Sequence, residues 1–197
     1  SAASDVYKRQ VVNKAEQMGG DAYIVGYLKG QIAFSQRSYE LAEMHFETLS
    51  KLKPSDADAA NMLALSLIES ADPTKQSRAL ELAMVNQRLY PKSPGAMATL
   101  GWIYYRTGKK AEAERAFNAV IGSNNVGPAS AYYVAHFLND RGDFAGAKRL
   151  LEQALANPDY FIFRRSAEEM LKEVSARVPE SSQSPPQPPH TDDGSKK

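Results

Sequence analysis

His136 and Asp140 stand four residues apart, a spacing that on a helix puts both side chains on one face, within reach of one metal ion. A closed zinc site takes three or four protein ligands, so this pair falls short and no metal is expected. The other histidines, His45 beside Phe46 and His190 near the end of the chain, have no Ser or Asp placed to complete a nucleophilic triad. Glu168 and Glu169 are neighbours near the start of an amphipathic stretch, and read as a solvated, dipole-favoured face rather than an acid and base pair. Gly19-Gly20 lacks the Lys-Ser/Thr that follows a phosphate loop. Zero cysteines remove disulfides, thiolate metal sites and Cys nucleophiles, and fit a reducing or an oxidising compartment equally. No catalytic residue and no cofactor is expected.

The remaining classes narrow by composition. With 197 residues, 43% of them hydrophobic, the chain can bury one sizeable core. Its 24 basic and 23 acidic residues leave a net charge of +1, which directs it toward neither nucleic acid nor an anionic membrane surface. No apolar run reaches the roughly 18 residues of a membrane-spanning helix, and no charged-then-apolar signal opens the chain. Charge therefore nominates no partner.

The elements that would position any partner are two short amphipathic helices within residues 94–121, joined at Gly108. Gly101 and Ala113 are small where antiparallel helices approach closely, and Leu100, Tyr104 and Phe117 fill the space between them. The same design returns 34 residues on, with Ala135 for Gly101, Gly142 for Gly108, Ala147 for Ala113 and Leu151 for Phe117. Upstream, a unit at 23–56 carries Gly30, Tyr39, Ala42 and Phe46, and another at 57–93 carries Leu63, Ala64, Leu67, Ala79 and Ala83. In the 57–93 unit three extra residues fall between Ala64 and Ala79. Asp72 and Pro73 fit an N-cap and first helical position, so a lengthened turn is expected there. The units at 94–127 and 128–160 keep the regular spacing.

The flanks read differently. Residues 1–10, SAASDVYKRQ, look like a vector-derived leader and are set aside. Residues 11–22 read as the stump of an upstream half repeat, with any targeting signal expected to be lost ahead of it. Residues 161–178 place Ala167, Met170, Leu171 and Val174 on one stripe of a capping helix, with Tyr160, Phe161 and Phe163 in the joint before it. Residues 179–197 are Pro-, Ser- and Gln-rich and are expected to form a disordered tail, with PPQPP at 185–189 as a spacer.

The order Leu-Gly-x-x-Tyr at 100–104 followed by Ala-x-x-x-Phe at 113–117 resembles the tetratricopeptide repeat (TPR) family. That resemblance implies an all-α, right-handed superhelical array of helix-turn-helix repeats, closed by the capping helix. Lys29, where the family usually has Leu, and Ala83, where an aromatic is usual, depart from the pattern. Ligand-facing positions carried over by register include Tyr27, Gln31, Phe34 and Asn61 in the first two units. In the third and fourth they include Trp102, Tyr105, Arg106, Tyr132, Tyr133, His136 and Asn139. These form a concave aromatic groove suited to a peptide or helix, although residues such as Leu65, Ile68 and Trp102 equally suit packing between repeats. Chaperone-binding relatives hold a C-terminal carboxylate with cations. The matching positions here are Tyr27, Gln31, Met62, Gly95 and Thr99, so a carboxylate clamp is not expected. The implied function is a non-catalytic protein-interaction scaffold. The alternative is a regulatory or docking segment of a larger enzyme whose catalytic part lies upstream.

Overall fold

The computed structural model describes residues 10, 12–14, 16–157 and 161–178. The expected tail at 179–197 and all of the expected leader except Gln10 lie outside the described residues. Residues 12–14 and 16–17 are helical, with Val12 buried, ahead of Gly19 at φ +79°. The helices that follow are α1 (Ala22–Ser35), α2 (Tyr39–Leu52), α3 (Ala57–Ile68), α4 (Pro73–Leu89), α5 (Pro94–Arg106), α6 (Lys110–Gly122), α7 (Pro128–Asp140), α8 (Phe144–Ala156) and α9 (Arg164–Ser175). No strand occurs among the described residues.

Local chemistry sets these boundaries. Asp21, Asp56, Asp72 and Ser93 accept hydrogen bonds from the first free N–H groups of α1, α3, α4 and α5, and Pro occupies the first position of α4, α5 and α7. Three of the first helices end in one and the same closure. The N–H of Ser38, Lys109 and Asp143 reaches back to the carbonyl of Ala33, Tyr104 and Leu138, five residues earlier. The residue before each donor is left-handed, namely Arg37 at φ 61°, Gly108 at φ 75° and Gly142 at φ 81°. Glycine takes that conformation freely, whereas at Arg37 a side chain is held in it at a cost of about 1 kcal/mol.

Each pair packs through a small-on-large contact. A Cβ on Gly30 would stand 2.7 Å from Cζ of Phe46, and one on Gly101 would stand 2.8 Å from Cε1 of Phe117. Where the second helix instead carries Ala83 or Leu151, the register position facing it is Ala64 or Ala135, and all four are buried. Volume is therefore balanced pair by pair, as close packing demands.

The second unit corrects one expectation. Its turn is lengthened by only one residue, 69–72 against three residues in the other units, and its first helix ends one residue earlier relative to the small residue. The three inserted residues become an added turn at the front of α4, where Ala79 is the seventh helical residue while Ala42, Ala113 and Ala147 are the fourth of theirs. The Asp72 cap and Pro73 start the helix early, and the added turn carries Lys75, whose Nζ sits 2.6 Å from Glu43 of α2. Arg78 adds a second ion pair to Glu47 at 2.5 Å.

The units then stack. α2 packs broadly on α3, but the equivalent contact weakens for α4 on α5 and is slight for α6 on α7, while contact between successive first helices grows from α1/α3 to α5/α7. The face built by the first helices closes up toward the C-terminus. α9 packs on α8 and covers Ala147, Leu151 and Ala154 with Ala167, Met170 and Val174. The first two units are also stitched by Tyr23, whose hydroxyl donates to Asp56 Oδ2 at 2.6 Å while Oδ1 caps α3. Burial pushes the Asp56 carboxyl up, but the Tyr23 hydroxyl, the Ala59 and Asp58 N–H groups and Lys53 together hold it below its ordinary range.

Two outcomes follow from these contacts. Gly101→Ala is expected to cost about 1–3 kcal/mol by overpacking against Phe117. Adding Phe117→Leu, which recreates the Ala135 and Leu151 pairing, is expected to recover a large part of the loss. Urea unfolding of both variants and the Phe117→Leu control gives the coupling, and an unchanged Gly101→Ala midpoint would contradict the close-approach account. Because the folded Asp56 pKa is depressed, its contribution is present above the unfolded value of about 4 and is lost as pH falls through the folded one. Asp56→Asn is therefore expected to lower stability at pH 7 and to flatten its decline below pH 4, read by thermal unfolding across pH 3–7.

Candidate functional site

Trp102, the chain's one tryptophan, is the centre of the closed-up face. It is held from α5 with its ring stacked on Tyr133 of α7 at 5.0 Å between centroids and on Tyr105 at 5.3 Å. His136 tilts against it at 5.3 Å, and the Arg106 guanidinium lies 5.5 Å from the ring centroid. Arg106 also pairs with Glu69, at the end of α3, at 2.5 Å. Three successive first helices are thereby tied across one aromatic plate.

Beside the plate lies a cavity of about 280 Å³. Its walls come from the whole length of the array: Phe34, Arg37 and Tyr39 of the first unit, Glu69 of the second, Trp102 and Arg106 of the third, and Tyr132 and His136 of the fourth. Ile162, Phe163 and Ser166, at the entry to α9, complete it. A second cavity of about 210 Å³ shares Arg37, Tyr132, His136 and Ser166 and continues past Asn139 to Glu169 and Glu173.

The residues expected to bind a partner divide into three sets. Phe34, Trp102, Arg106, Tyr132, His136 and Asn139 do meet around these cavities. Tyr133 is 2% exposed, sealed behind Trp102 and Phe163, so it supports the wall and offers no surface. Tyr27, Gln31, Asn61 and Tyr105 line neither cavity. Tyr27 lies edge-on to Phe46 at 5.6 Å; Asn61 accepts from Asn86 at 2.7 Å; the Tyr105 hydroxyl donates to Asp140, an inter-repeat link. Leu65 and Ile68 are buried between units. The cavity wall adds residues that the first-helix register does not reach, namely Arg37, Tyr39, Glu69, Ile162, Phe163 and Ser166. The sequence marks Tyr39 and Phe163 only for packing, and Arg37 carries a further signal, a bulky cation in the register position that is Gly108 and Gly142 in later units.

Electrostatics leave this basin mixed rather than charged. Burial pushes the His136 pKa down, with Arg106 assisting and Asp140 and Glu173 opposing, so the imidazole is neutral at pH 7. Its Nε2 is buried and has no hydrogen-bond partner, as is the Tyr133 hydroxyl. Burial raises the Tyr132 phenol above its usual value, opposed by Ser166. Asp140, the other half of the expected His/Asp spacing, is engaged by Tyr105. Among the described residues no three His, Asp or Glu side chains gather to hold a metal, and no helix is long and apolar enough to cross a membrane. The arrangement is suited to recognition: flat apolar faces, the cations Arg37 and Arg106 in the wall, and buried polar atoms without partners.

The geometry agrees with what the chain resembles. The tetratricopeptide repeat family model matches residues 27–96 and 98–160. A curated relative, the TPR repeat-containing protein PA4667 of Pseudomonas aeruginosa, is 30% identical over 89 residues, which are 45% of this chain and 15% of the relative. The chain thus spans well under a quarter of that relative's length. Among solved structures, the thermophilic TPR protein TTC0263 of Thermus thermophilus superposes with a TM-score of 0.65 at 13% identity, over 85% of this chain and 88% of that one. A chain of the APC/C hetero-tetramer Cut9-Hcn1 gives 0.60 at 12% identity, over 89% of this chain and 36% of that one. The match over residues 27–96 and 98–160, together with four stacked helix pairs carrying small residues at 30, 64, 101 and 135, places this chain in the tetratricopeptide repeat family.

Proposed function

We propose that the protein is a non-catalytic interaction scaffold that holds a peptide or helix of a partner protein against the concave face between Trp102 and Tyr132. The repeat fold serves protein association generally; the use of this particular face is our reading. One observation carries it: an aromatic-walled cavity lined by Arg37 and by His136, whose buried Nε2 has no hydrogen-bond partner among the described residues. Buried polar atoms are rarely left so unless something else satisfies them. Arg37 is held in a left-handed turn that glycine fills elsewhere, and local strain of this kind persists where a side chain is needed. This reading does not extend to a chaperone carboxylate, since the matching clamp positions Tyr27, Gln31, Met62, Gly95 and Thr99 supply no cation to pair with it.

Arg37→Gly separates stability from binding. Removing the strained side chain is expected to raise the melting temperature by about 1–2 °C, since the turn gains a residue suited to it. The same change is expected to weaken retention of partner proteins from the source cell's lysate at least threefold, with His136→Ala behaving alike in retention without the gain in stability. Thermal unfolding and quantitative affinity capture by the full chain read the two effects. A stabilised Arg37→Gly protein that retains the same partners in the same amounts would defeat the groove reading.

A further inference from the structure

The richest aromatic platform of the concave face is already covered. Phe163, half-buried at the entry to α9, stacks on Tyr132 at 5.0 Å with an interplanar angle of 12°, meets Tyr133 edge-on at 5.2 Å, and reaches Phe34 of the first unit at 5.7 Å and 88°. It bridges the two ends of the array. The joint itself is anchored without it: Phe161 is buried at 8% under α8 and α9, and Arg164 donates to the carbonyls of Leu155 and Asn157. Phe161 and Phe163 point to different places, one into the α8/α9 core and the other into the groove.

From this we infer, building on the groove reading above, that the groove takes an aromatic side chain, that Phe163 is its internal occupant, and that a partner segment bearing an aromatic residue binds by displacing it. The cavity beside Phe163 has room for about one side chain, and Ile162 and Phe163 themselves form part of its wall. The pocket supplies what an aromatic ring requires: a flat face on Tyr132, edges on Phe34 and Tyr133, and Trp102 as the far wall. An internal plug lowers apparent affinity by the fraction of molecules in which it is out, so the array discriminates against weak apolar ligands and admits those able to replace every ring contact.

Trp102, being the sole tryptophan and a wall of the same cavity, reports the pocket directly. The full chain and its Phe163→Ala variant are titrated with N-acetyl-phenylalaninamide, with N-acetyl-alaninamide as control, following Trp102 fluorescence. The variant is expected to respond saturably on the order of millimolar ligand, and the unmodified chain about tenfold more weakly or worse. Equal responses would show that Phe163 plugs nothing, and absence of response in both would show that the pocket takes no aromatic ring. A variant that instead elutes as a dimer, exchanging α9 between copies, would overturn the inference in favour of self-association. If Phe163→Ala loses helicity, Phe163→Leu, which keeps an apolar filler without the ring, carries the same test against the same outcomes. No partner protein enters this experiment, so its failure leaves the Arg37→Gly result to judge the groove reading separately.

Discussion

Everything in this array depends on how closely two antiparallel helices can approach. Where Gly30 meets Phe46 and Gly101 meets Phe117, the large ring lies in a hollow that even a methyl group would fill. That contact fixes the spacing of each pair, and the spacing fixes where the apolar back of the pair lies for the next unit to cover. No pair can bury its faces alone, so the units stabilise one another and the last is closed by α9. Trading Gly and Phe for Ala and Leu in the fourth unit, or Ala and Ala in the second, preserves the fit while changing the residues.

This is why so much of the fold was legible in the sequence. Small and large residues recurring about every 34 residues, with Asp72, Pro73 and Ser93 at helix starts, are local signals of local geometry, and the helices sit where those signals put them. The three-residue insertion was legible in existence but not in form. Asp72 and Pro73 signal a helix start, but not that the helix begins a full turn ahead of its repeat register, where Lys75 and Arg78 find Glu43 and Glu47 on α2.

The concave face was legible only in part, for a different reason. Register identifies which residues of a first helix face inward, and Phe34, Trp102, Tyr132, His136 and Asn139 do meet there. It cannot say how strongly the array curves. The curvature comes from the gradual exchange of contacts, from second helices early in the chain to first helices late in it. That curvature brings Phe163 onto Phe34, seals Tyr133, and turns Arg37 from a turn residue into part of the cavity wall. Several aromatic groups read as ligand-facing thus spend their ring faces on one another. What remains open to a partner is narrower than the row of first-helix positions: the cavity, the His136 imidazole, the rim at Asn139 and the Arg37 guanidinium.

A partner held on the concave face, and not on the outside of the array, is the central claim. Photo-crosslinking in the source cell tests it most directly, with p-benzoylphenylalanine placed at Asn139, at the groove rim, or at Asn118, exposed on α6. A discrete protein adduct is predicted from the Asn139 probe and none from the Asn118 probe. Adducts from Asn118 with none from Asn139 would contradict the claim and move the working surface to the outer helices.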